Sequence, residues 1–284
     1  MSRIALGLLL ASAVLHALWN LLLKQAREKQ IAAWGAMLAG SICFLPVLLV
    51  GRWPPRHVWP YGVASALFEV AYFKTLTDAY RLGDFSLIYP VARGTVPLFL
   101  TVWAVLFLRE SLSPAGLAGL GTLTVGLMVV GGSGWLGRKR AAAGLTGIST
   151  ALVVAMIISI LAAIDGAAVK KADAAPYTVL VFWLSSLLVA PMIIGRHGWS
   201  VVRAELQSEW LRIGTVGCLS MASYMLALFA YSLAPVGYAG AVREITVVFG
   251  ALAGWLWLGE GMGAVRLVGA AIIFAGMMII AAAG

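Results

Sequence analysis

A chain of 284 residues that is 62% hydrophobic and 11% charged, with a mean hydropathy of +0.98, has too little polar surface to cover a water-soluble globule. That composition leaves an all-α polytopic membrane protein. The net charge of +9 is scattered in short basic clusters between apolar runs, so the expected partner is the lipid bilayer with its anionic headgroups, and no nucleic acid.

Crossing the hydrocarbon takes about 20 apolar residues per helix. In chain order the candidate spans are Ile4 to Leu23, Ile31 to Gly51, Trp59 to Tyr80, Ser86 to Leu108, Pro114 to Gly131, Leu145 to Val169, Pro176 to Gly195, Trp210 to Leu233, Gly237 to Leu258 and Gly263 to Ala283. The first, with Arg3 ahead of it and small residues at Ala11 to Ala13, resembles a signal peptide, but its apolar run continues to Leu23 and reads as a retained helix.

Helix 1 stacks Ser12, His16, Asn20 and Lys24 on one face at a spacing of four, with Trp19 beside them. A lone histidine is usually a packing residue, but four polar groups on one face predict a cavity wall. Helix 3 repeats the logic with Glu69, Tyr72, Phe73, Leu76 and Tyr80, and helix 8 answers with Ser220, Tyr224, Ala227 and Tyr231. Aromatic packing is the plainer reading, yet a tyrosine hydroxyl in hydrocarbon needs a partner that lipid cannot give. Tyr72 and Tyr224 therefore favour a wet interior, and Glu69 is the candidate for a group that changes protonation.

Helix 4 carries Tyr89 and, between Pro90 and Pro97, Arg93; helix 9 carries Arg243 and Glu244 without proline. Intramembrane charges are costly and read as functional by default, although near helix ends ion pairing or snorkelling is the commoner explanation. The prolines predict a kinked helix 4 with exposed carbonyls. Arg93 with Asp78, and Arg243 with Asp165, are expected to form charge pairs at opposite mouths of a central cavity, with Glu244 beside the second. Cys43 and Cys218 sit in apolar runs and read as small hydrophobes, with no disulfide. No HExxH, GxSxG, Walker or metal-spaced Cys/His pattern is present, so no enzyme activity, cofactor or metal is expected.

The stretch Tyr80 to Glu110 returns in degenerate form as Tyr231 to Glu260, with Arg93 over Arg243 and Glu110 over Glu260. Lys24 falls on Lys170, Pro46 on Pro191, and Gly119 and Gly126 on Gly269 and Gly276. The chain thus divides into five-helix repeats at 1–137 and 138–284. An odd number of helices per half makes the second repeat inverted, an arrangement associated with alternating access around a midplane site. The paired glycines read as helix packing, with a dimer seam as a second use, so the chain is expected to be a monomer or a homodimer.

With His16-Ala-Leu-Trp-Asn20 and Lys24 in helix 1, Leu108-Arg-Glu110 after helix 4, Leu258-Gly-Glu260 and a glycine-rich helix 10, the chain resembles the EamA type of the drug/metabolite transporter superfamily over essentially its whole length. The resemblance implies a bacterial inner-membrane secondary transporter, commonly an exporter, with a cavity lined by helices 1, 3, 4, 6, 8 and 9 and both termini cytoplasmic. The raw count of lysine and arginine points the other way, because Lys24, Arg27, Lys29, Arg81, Arg138 to Arg140, Arg196, Arg203, Arg212 and Arg266 lie on the side opposite the termini. Helix 1 lacks the carboxylate with which the small multidrug-resistance branch exchanges protons for cationic drugs.

The expectation is a secondary exporter of small metabolites, amino acids first, using His16, Trp19, Asn20, Glu69, Tyr72, Phe73, Tyr89, Arg93, Tyr224 and Arg243 as cavity residues. Proton-coupled drug or cation export, and carriage of a lipid-linked substrate, are the alternatives within the fold. A membrane enzyme or a scaffold fits the intramembrane charges less well.

Overall fold

Hydrocarbon offers backbone amides no partner, so a chain this apolar must satisfy them within helices. A computed structural model describes residues 1–50, 53–82, 85–132, 145–249, 252 and 264–283, with the side chains at 76–82, 85–91, 131–132, 145–148 and 266 outside the description. Among the described residues every regular element is helical: α1 Arg3–Lys24, α2 Lys29–Cys43, α3 Leu45–Val50, α4 Trp59–Leu82, α5 Phe85–Leu108, α6 Pro114–Gly132, α7 Leu145–Val169, α8 Ala174–His197, α9 Trp199–Ser208, α10 Trp210–Leu233, α11 Val236–Arg243 and α12 Ala264–Ala283, with a 3-10 turn at Arg56–Val58. Five runs, Arg3–Lys24, Lys29–Val50, Ser149–Val169, Ala174–His197 and Trp210–Leu233, are each long and apolar enough to cross a bilayer.

The structure departs from the sequence expectation in three places. The second span divides into α2 and α3 at Phe44, just ahead of Pro46, whose missing amide cannot continue the ladder. Pro191, its counterpart, stays inside an unbroken α8. The segment after α8, expected as a loop, forms α9, entered through Gly198 at φ 79°, a left-handed conformation that favours glycine. Glu205 of α9 accepts the Glu28 amide at 3.2 Å, and Arg212 pairs with Glu209 and donates to the Gln25 carbonyl at 3.2 Å, tying α9 to the α1–α2 turn. Trp199 and Trp210 flank it exposed, as interfacial aromatics do. The third departure, a break after α11, belongs to the candidate site.

The contacts between halves come in mirrored pairs. α1 packs on α10 as α7 packs on α4, and α2 packs on α10 as α8 packs on α4. α6 and α12 face each other through glycines: a Cβ at Gly276 would stand 2.5 Å from the Leu123 amide, and one at Gly126 would stand 2.6 Å from that of Ile273. Gly119 meets 276–280 while Gly126 meets 269–273, so these two helices run antiparallel, as inversion requires. The glycine seam is therefore filled within one chain. The Met1 amine reaches the Ala281 carbonyl at 3.4 Å, which puts both ends of the chain on one side.

Ser12 is a packing residue and not part of a cavity wall. It is fully buried, its hydroxyl donates to the Ser223 carbonyl at 2.7 Å, and Ser223 returns the bond to the Ser12 carbonyl at 2.8 Å, clasping α1 to α10.

Candidate functional site

α11 starts on a cap from the other repeat. Glu110 accepts the Val236 amide at 2.5 Å and the Gly237 amide at 3.0 Å, placing an anion at a helix N-terminus with unsatisfied donors. Eight residues later the helix stops. Glu244 and Ile245 form a tight turn whose amides reach back only three residues, to Ala241 and Val242 at 3.1 Å each, and helix resumes at 246–249. The Thr246 hydroxyl takes the Arg243 carbonyl within this turn. The α-helical ladder of the ninth span is thus interrupted by a 3-10-like turn at 244–245, through which the chain keeps its right-handed winding.

That break turns two charged side chains in different directions. Glu244 meets Arg93 of α5, Nη1 lying 3.3 Å from Oε1 and 3.4 Å from Oε2, with Glu244 6% exposed and Arg93 21%. The Arg243 guanidinium sits 5.1 Å from the ring centroid of Tyr224, a cation–π contact, with the fully buried Tyr231 beside it. The Tyr224 hydroxyl donates to one oxygen of Asp165 and the Tyr177 hydroxyl to the other at 2.6 Å. Asp165 is wholly buried, so both oxygens need such donors. Ser65 also abuts this carboxylate, its buried hydroxyl without a good hydrogen bond, and Glu69 on the same helix lies within the field of Asp165.

These contacts add a cross-repeat pair to the two-mouth expectation, whose Arg93–Asp78 half lies outside the described residues. Arg93 pairs with Glu244, the residue next to Arg243, so the two arginines converge on one region. Among the described residues Arg243 and Asp165 form no ion pair; the aromatic ring and hydroxyl of Tyr224 stand between them. The side chains of Asp78 and Tyr89 lie outside the described residues. α5 runs unbroken from Phe85 to Leu108 despite Pro90 and Pro97, with the Thr101 hydroxyl donating to the Pro97 carbonyl at 2.7 Å.

His16 stands within the fields of Arg243 and Arg93 and packs edge-on to Trp19, ring centroids 4.7 Å apart. The Trp19 indole nitrogen is buried without a hydrogen-bond partner. Asn20 is exposed and donates to the His16 carbonyl at 2.7 Å, bonding back on its own helix. Tyr72 and Phe73 diverge: Tyr72 packs with Ala92, Ala151 and Val154, and Phe73 with Ile31, Trp34 and Val189. The face predicted on helix 3 therefore splits between two clusters. Tyr177 was not anticipated, although the rule applied to Tyr224, that an intramembrane hydroxyl needs a partner, covers it equally.

The constellation sets two guanidiniums and three carboxyls among aromatic rings inside a membrane, and it joins the halves at a tightened turn of the ninth span. Intramembrane charges gathered in this way between two repeats mark functional sites, and 3-10 turns inside a helix mark hinges. The EamA-like transporter family matches residues 3–132 and 145–282. The chain belongs to that family. Relatives of this EamA-like chain include the Pseudopaline exporter CntI of Pseudomonas aeruginosa strain UCBPP-PA14, 27% identical over 216 residues that make up 75% of this chain and 70% of the relative. The protein of the same name from strain PAO1 gives the same identity and coverage. A crystal structure titled only as that of a protein shares the fold with a TM-score of 0.76, at 19% identity, across 98% of this chain and 96% of the other. This multi-pass EamA-like protein is accordingly a membrane transporter of helical, two-repeat build.

Proposed function

We propose that this protein exports small zwitterionic metabolites, amino acids first, by alternating access between inverted repeats at 1–137 and 138–284. One observation carries the reading: the tightened turn of the ninth span presents Arg243 and Glu244 where α5 presents Arg93 and α7 presents Asp165. A guanidinium can take a substrate carboxylate bidentately, and a buried carboxyl can take its ammonium. The apolar part of the substrate would rest on Tyr224, Phe182 and Trp19. The Arg93–Glu244 contact, which crosses between repeats, is the element to open and close during the cycle. On this reading the protein works as a carrier, not an enzyme, in a bacterial inner membrane with both termini cytoplasmic.

Counterflow of labelled amino acids in proteoliposomes tests this reading. Asp165→Asn should lower exchange about tenfold or more, in line with removing a charge-assisted hydrogen-bond acceptor, while the folded fraction is unchanged. If no amino acid in the panel exchanges through folded protein, the substrate assignment fails. The name of the CntI relatives supports export as the direction and makes pseudopaline the second compound for the panel.

A further inference from the structure

At the side of the molecule where the chain ends meet, a groove of about 1030 Å³ runs between α5 and α7 and under the α10–α11 turn. Its wall is apolar, formed by Trp103, Ile160 and Ile164, with Phe107 as an outer lip that is 72% exposed. Its rim is basic, carrying Arg109, Lys170 and Lys171 at the ends of α5 and α7. Lys170 spends two of its donors on the Ala234 and Ser232 carbonyls, at 2.9 and 3.4 Å, and Lys171 lies over the Tyr61 ring. Among the described residues no carboxylate forms an ion pair with these three cations. Glu110 lies close by, but its two oxygens are engaged by the α11 amides. Burial lowers the pKa of Lys170 and Glu110 opposes that shift.

Arg109 is the telling residue. Its φ is 55°, and among the described residues it is the non-glycine residue with a positive φ. The chain doubles back there, the Glu110 amide reaching the Ala104 carbonyl at 3.1 Å, and that turn delivers Glu110 to α11. The equivalent position in the second repeat is Gly259, the residue such a conformation favours. The left-handed conformation at Arg109 carries a local backbone cost, and the side chain retained there is a cation on the groove rim.

We propose that this groove is a binding site for an anionic phospholipid, its phosphate held by Arg109, Lys170 and Lys171 and one acyl chain laid along Trp103, Ile160 and Ile164. The depth order fits a lipid: the cations stand at helix ends, at headgroup level, and the apolar wall continues inward. Basic pockets between transmembrane helices are suited to acidic headgroups. The proposal stands apart from the substrate reading, since none of these residues belongs to the Asp165 constellation.

The test uses the full chain in phosphatidylcholine nanodiscs with and without phosphatidylglycerol, read by lipid retention in native mass spectrometry and by thermal unfolding. Arg109→Gly should weaken phosphatidylglycerol retention about fivefold, as expected for one lost basic contact. In pure phosphatidylcholine its unfolding midpoint should equal or exceed that of the unmodified protein, because glycine relieves the left-handed strain. Lys171→Met, a surface change, should weaken retention in the same direction. Unchanged retention in both variants overturns the site. Glycerol phosphate protecting the protein as well as phosphatidylglycerol does would mean a soluble-anion site and overturn the lipid assignment. A lower midpoint for Arg109→Gly in pure phosphatidylcholine would overturn the argument from strain.

Discussion

α5 and α11 are corresponding parts of the two repeats, and they break the local rules in opposite directions. α5 holds Pro90 and Pro97 and remains one helix; α11 holds no proline and stops at Arg243. A proline deletes one hydrogen bond and crowds the turn before it, a local cost that packing on both sides can absorb. The Thr101 hydroxyl adds a second donor to the Pro97 carbonyl, a back-bond that does not replace the one the proline withholds from the preceding turn. The interruption at Arg243–Ile245 is held by distant partners instead: Glu110 fixes the start of α11, Arg93 takes Glu244, and the Tyr224 ring takes Arg243. The interruption at Arg243–Ile245 therefore goes with tertiary contacts, whereas the one at Phe44 goes with the local Pro46.

The largest effect should come from Glu244→Gln, which removes the carboxylate that meets Arg93 across the repeats. Destabilisation of about 3 kcal/mol is expected, and the double change with Arg93→Gln should recover part of it, as a double-mutant cycle in thermal or denaturant unfolding would show. Additive losses would mean that the pair is not coupled. Glu110→Ala removes the cap of α11 and should cost about 1–2 kcal/mol, the sum of a lost N-cap and a lost anion at a helix start. Hydrogen exchange should localise the loosening to 236–243. Pro97→Ala should change stability by less than about 1 kcal/mol, since α5 is already continuous. A collapse of folding in that variant would show that the proline shapes α5 after all. Smallest of all, Thr101→Val should change stability by less than about 0.5 kcal/mol, since it removes only a back-bond on its own helix, measured by the same unfolding assay.

The charged residues of the site could be read from the chain because a charge in an apolar run is conspicuous whatever surrounds it. Arg93, Arg243, Asp165 and Glu244 were all named from that rule. Their partners could not be read, because each contact joins positions far apart in sequence: 151 residues separate Arg93 from Glu244, and 59 separate Tyr224 from Asp165. Helical periodicity fixes which residues share a face, but not which face turns inward. Ser12 accordingly proved to be a clasp on α10, and Tyr72 and Phe73 parted into different clusters. Cys43 and Cys218, two hydrophobes by sequence, stand with sulfurs 2.9 Å apart, which only the α2–α10 packing brings about. The amphipathic α9 was missed because its ten residues are too short and too polar to register as a span.

Composition and periodicity by themselves determined an all-helical membrane chain, its duplication and the glycines of the helix 5 and 10 seam, all of which follow from local solvation and spacing. Tertiary structure alone decided where the ninth span tightens, which carboxylate meets which guanidinium, and that Glu110 caps α11. Those outcomes depend on the free energy of contacts between repeats, and a linear sequence does not carry the geometry of that interface.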